Sequence, residues 1–172
     1  MTQGNLTKAV NKSFDIFTLL EQIEDFAGDA LDDLDTNAER ANFVEGLNKF
    51  FTKLGSFERP PSNGITDINI AEKTFFDWTN NINTAISDLK IQSPVWNDYL
   101  FIGEENRTLL NLEEDLGSIL DIPDDKRTLQ DKLALIENSV PYLGDKIDKT
   151  RREVMSNLLQ MEVNKEGIVS AS

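Results

Sequence analysis

The chain contains no cysteine and no histidine. Without thiols there is no disulfide framework and no sulfur ligand for zinc or iron. Without imidazole the commonest general base is missing, and with it every Ser-His-Asp or Cys-His arrangement and the usual zinc, copper and haem ligands. Proline and glycine are scarce, at five and nine of 172 residues, and the closely spaced turn signals of an all-β chain are missing with them. No apolar run approaches the ~18 residues of a membrane span. The opening Met1-Thr2-Gln3-Gly4-Asn5 lacks the hydrophobic stretch of a secretory leader. These absences set the expectation of a cytoplasmic protein that binds no membrane, metal or cofactor. Positive charge is short as well: 17 Lys and Arg stand against 31 Asp and Glu, for a net charge of −14 and a pI near 4.3. A chain so poor in cations offers no footprint for direct binding to nucleic acid or an anionic bilayer.

What is present is a core-forming helical pattern. The hydrophobic fraction is 39% and includes ten Phe and two Trp, enough to build one core in a chain of this length. Leu6, Val10, Phe14, Phe17, Leu20, Ile23, Leu31 and Leu34 recur at mostly three- and four-residue steps, which predicts one long amphipathic helix. Thr36 and Glu39 have the spacing of a capping box, in which a side-chain oxygen and a carboxylate each satisfy a free backbone donor of the first turn. The helix they open carries Ala41, Val44, Leu47, Phe51 and Leu54 on its expected inner face, with Gly55 as a natural stop.

Pro60-Pro61-Ser62-Asn63-Gly64 marks the clearest loop. A third helix is predicted from about Asp67 to Lys90, with Ile68, Phe75, Trp78, Ile82, Ile86 and Leu89 inward. Ser93-Pro94 reads as a cap followed by proline at the first helical position. The segment it opens has Val95, Tyr99, Ile102, Leu109, Leu116 and Leu120 inward, with Gly103 as a candidate break. Pro123 begins the last segment. Its positions 129, 133, 136, 140, 143, 147, 150, 154, 157 and 161 form an alternating heptad interrupted only by Thr150 and Asn157. Pro141 lies inside that heptad and either kinks or splits the helix. The fold expected is all-α: an elongated, mainly antiparallel bundle of five or six helices over residues 1–163, with 164–172 as a flexible tail.

Two motifs invite a metal and fail. Asp33, Asp35 and Asn37 have the spacing that opens an EF-hand loop, but Ala38 stands where glycine is needed and Val44 where the closing Glu is needed. Glu21 and Glu24 share one side of a helix, as in magnesium-dependent nucleotide hydrolases. That chemistry needs a second carboxylate pair on a facing helix, and Glu113, Glu114 and Asp115 lack its spacing. No phosphate-binding glycine loop or nucleophile elbow is present, and no catalytic residue is assigned.

Charge is unevenly spread. Residues 1–34 hold two lysines against seven carboxylates, and 93–122 hold one arginine against seven, which together make 11 of the 14 net negative charges. Side by side, these segments form an acidic wall suited to a basic groove on a partner protein, including one that otherwise holds nucleic acid. Glu21, Asp25, Asp29, Asp32 and Asp33 are its candidate residues in the first segment, and Glu105, Glu113 and Glu114 in the second. The function expected is that of a non-enzymatic binding module, an adaptor or inhibitor. The alternatives are a subunit that self-assembles through the 129–161 heptad and a carboxylate-dependent magnesium hydrolase.

Overall fold

A computed structural model describes residues 4–34, 36–101 and 122–171, with the side chains of 30–33, 94 and 161–171 left aside. It is an all-α bundle. The helices are α1 (Asn5–Asp33), α2 (Asn37–Ser56), α3 (Ile68–Gln92), α4 (Pro94–Tyr99) and α5 (Leu129–Ala171), with a 3-10 turn at Asp124–Lys126. No strand occurs among the described residues. At about 1.5 Å per residue the 43-residue α5 is roughly 65 Å long, which gives the bundle its elongated form.

α2, α3 and α5 start where the sequence supplies a side-chain acceptor for their free backbone donors, whereas Gly4 and Ser93, ahead of α1 and α4, make no side-chain cap. The Thr36 hydroxyl accepts from the Glu39 N–H at 3.1 Å, and Asp67 accepts from the N–H groups of Asn69 and Ile70 at 3.0 and 3.3 Å. Thr128 and Asp131 form a reciprocal box ahead of α5, with both bonds 3.1 Å long. Gly55 does not end α2. The helix runs on to Ser56 and is closed by the Phe57 N–H bonding to the Leu54 carbonyl.

The core is aromatic at its centre: Trp78, Trp96, Phe51 and Phe75 are among its largest fully buried side chains. α1 contributes Leu6, Val10, Leu20 and Ile23 as expected, together with Ala9, Ile16, Leu19 and Ala27, while Phe14 and Phe17 are half-buried. α2 buries Leu47, Phe51 and Leu54 as expected, but the expected face fails in its first turns. Ala41 is exposed and Val44 half-buried, whereas Phe43 and Phe50 are buried, because Phe43 reaches the Trp96 ring at 5.3 Å between centroids. In α4 and at its C-terminal cap the inward pair is Trp96 and Leu100, while Val95 and Tyr99 are exposed.

Paired residues fix the helix directions. Thr7 meets Arg127, Phe17 stacks on Tyr142 and Glu24 meets Lys146, so α1 and α5 ascend together. Lys12 bonds to Asn80 and Phe26 packs on Trp96, so α3 and α4 follow the same direction. The antiparallel neighbour among the described residues is α2, whose Phe43 lies by Trp96 and whose Lys53 pairs with Asp88. The expected mainly antiparallel order is therefore qualified: the three long helices run parallel, and α2 with the 57–67 loop forms a return between two of them. That loop is tied down by Arg59, which bonds to Asp148 at 2.7 Å and to the Gly144 carbonyl at 3.4 Å.

α5 passes through Pro141 as one helix. Ile136, Val140, Leu143, Ile147, Thr150 and Val154 of its heptad are buried, Leu133 is half-buried, and Leu129 and Asn157 are exposed. The seam packs chiefly against α1 of the same chain. No helix of the described residues is long and apolar enough to cross a membrane.

Candidate functional site

Residues 21, 25 and 29 are spaced one turn apart and form a stripe along α1. Glu21, Asp25 and Asp29 are all exposed. Asp32 and Asp33 follow at the end of the helix, with side chains outside the described residues, and Glu105, Glu113, Glu114 and Asp115 also lie outside them. Of the two acidic segments, the described residues include the first, in α1, and only the start of the second, in α4.

The stripe divides into two environments. Toward α5, the Lys146 ammonium lies 3.8 Å from Glu21 and 3.4 Å from Glu24, and 4.7 Å from the centre of the Phe17 ring. Glu153, about two turns beyond Lys146 along α5, is placed to hydrogen-bond with Glu24 when one of the two carboxyls is protonated. That bond raises the Glu24 carboxyl above its ordinary value and burial adds to the rise, while Lys146 opposes it. The same bond, accepted by Glu153, lowers the Glu153 carboxyl. A largely buried lysine therefore stands beside Glu21 and Glu24, where the sequence suggested half of a magnesium site. Among the described residues no three acidic side chains are grouped as metal ligands.

Further along α1 the surroundings change. Phe26 stacks on Tyr99 with ring centroids 4.0 Å apart, and meets Trp96 edge-on at 4.8 Å and Phe43 at 6.0 Å. The position of Tyr99 is held by Gln22, whose side-chain amide both donates to the Phe101 carbonyl and accepts from the Phe101 N–H, the latter at 2.7 Å. Gln22, Asp25, Phe26, Asp29 and Tyr99 line a cleft of about 350 Å³ with an aromatic floor and an acidic rim. A second groove of about 500 Å³ lies where α2 faces α3 and α4, between Phe43, Leu89 and Trp96, with Glu39 and Glu45 near its edge.

The structure thus brings Asp25 and Asp29 to one cleft and turns Glu21 toward α5. Gln22, Phe26 and Tyr99 were not foreseen as site residues. The usable signal was Phe26 itself, an aromatic set among carboxylates and lying off the 20–23 core track. No family model, curated protein or solved structure matches this chain, so what the cleft does is argued from its own chemistry.

Proposed function

We propose that the protein is a non-enzymatic binding module of the cytoplasm, an adaptor or inhibitor that presents the acidic stripe of α1 to a basic protein partner. The observation that supports this reading is the contrast along α1. Glu21 and Glu24 are engaged by Lys146, whereas Asp25 and Asp29 make no ion pair among the described residues and rim an aromatic cleft. Exposed carboxylates beside apolar surface give a partner both electrostatic guidance and area to bury. Proteins with a basic groove are the partners in view, including those whose groove otherwise holds nucleic acid.

The test is co-purification from native lysate at low and high salt, comparing the parent with Asp29→Asn/Asp32→Asn/Asp33→Asn, followed by sizing. A basic protein held by the parent at low salt and lost by the variant is the expected result. Because like charges repel in the free protein, the variant should melt no lower than the parent. Retention that responds to neither salt nor the substitutions would move recognition to the apolar surfaces, and a homo-oligomer with no other protein would favour assembly.

A further inference from the structure

We infer that the cleft between α1 and α4 receives an arginine side chain from a basic segment of a partner protein. This rests on the binding reading above and specifies the chemistry of its occupant. Three observations converge on a planar cation. The Phe26–Tyr99 stack leaves Tyr99 49% exposed, so part of an aromatic ring is open at the cleft. Asp25 and Asp29, one helical turn and about 6 Å apart, stand on the rim with no ion pair among the described residues. The volume, about 350 Å³, lies at the small end of ligand cavities and suits one long side chain rather than a whole helix.

Guanidinium fits this combination better than ammonium. Its plane stacks on an aromatic face while its edge donates to carboxylates at the rim, whereas lysine offers a compact, strongly hydrated charge. The clamp of Gln22 on the Phe101 backbone holds α4 against α1 before any ligand arrives, so little ordering is left for binding to supply. Gln22 is a positioning residue here: it touches the backbone that carries Tyr99.

The experiment titrates hexa-arginine and hexa-lysine peptides into the full chain at low salt, by calorimetry and by amide chemical shifts. Asp25→Asn/Asp29→Asn is compared with Glu137→Gln/Asp145→Asn, which removes the same charge from exposed positions on α5. The cleft variant should weaken hexa-arginine about tenfold, the equivalent of two exposed charge pairs, and the control about twofold or less. Tyr99→Leu should cost hexa-arginine about threefold, in the range of an exposed cation–aromatic contact, and should narrow its advantage over hexa-lysine. In the unaltered protein the largest shifts should fall on residues 22–29 and 99–101, a readout that needs no variant to fold. Equal weakening by the control, shifts centred elsewhere, or hexa-lysine binding as tightly as hexa-arginine would overturn the cleft while leaving an acidic binding surface. Failure of both peptides to bind would overturn the binding reading as well.

Discussion

Arg127→Met is expected to be among the most damaging single changes in the protein, although Arg127 lies in a short connection before α5. Its side chain is 1% exposed. One guanidinium nitrogen donates to the Thr7 hydroxyl at 2.8 Å and to Asp124 at 3.3 Å. Asp124 in turn abuts Gly4 at the head of α1, where any Cβ would collide with its carboxylate. Methionine keeps most of the volume but leaves Asp124, whose side chain is 13% exposed, without its cation. Stranding one partner of a buried pair costs about 3–5 kcal/mol. The lower end applies here, because Asp124 retains some water and faces the positive end of α1. For a chain of this size about 3 kcal/mol corresponds to a fall in Tm of roughly 6–12 °C. Denaturant unfolding followed by circular dichroism gives the free energy, and hydrogen exchange at residues 5–8 shows whether the head of α1 loosens. Adding Asp124→Asn to Arg127→Met removes the stranded charge and should recover about half of the loss. A single variant within about 0.5 kcal/mol of the parent, the range of ordinary surface changes, would refute the reasoning. So would a double variant no better than the single.

Trp96→Ala should cost about 3–5 kcal/mol, the usual range for a buried tryptophan, because Trp96 is 1% exposed and packs on both Phe26 and Phe43. Val95→Ala, next to it but 37% exposed, should cost well under half as much, and comparable melting curves would mean the face of α4 is misassigned. Glu24→Gln should raise Tm near neutral pH. The folded-state pKa of Glu24 is raised, so its protonated form is the one the fold favours, and the stability it contributes is present below 4.5 and lost as pH rises through the folded value. Glutamine mimics the protonated form and can still donate to Glu153, so the gain should shrink as pH falls below 4.5; a gain unchanged with acidification would contradict the raised Glu24 carboxyl.

The features legible in the sequence are those set by residues three or four apart. Thr36 with Glu39, Asp67, and the 136–154 heptad steps all act within a turn or two, and the helices fall close to where those signals place them. Rotation was less legible where an element is short or apolar on two sides. A six-residue helix such as α4 does not fix its own face, and a one-residue change turns it by about 100°, the difference between Val95/Tyr99 inward and Trp96/Leu100 inward. α2 carries apolar residues on both candidate faces, and the Trp96 and Phe26 rings decide for Phe43. The site depends on partners farther apart still. Gln22 and Phe101 are 79 positions apart, Glu24 and Lys146 122, and Thr7 and Arg127 120, and no local pattern announces such pairs.

The heptad illustrates how a correct pattern admits two destinations. A seam of alternating three- and four-residue steps is satisfied equally by a second copy or by another helix of the same chain. Here α1 takes it, and that choice determines which part of α1 is left for recognition. Ile23 and Ala27 are buried. Asp25 is two residues from each, about 200° around the helix axis, so the core and the acidic rim occupy opposite sides and do not compete. Phe26 lies about 100° from either side, half in the core against Trp96 and Phe43 and half in the floor of the cleft beneath Tyr99. One aromatic ring thereby joins the packing that makes the bundle to the surface offered to a partner. Neutralising Asp25 and Asp29 is consequently a clean perturbation of recognition, whereas truncating Phe26 would disturb fold and site together.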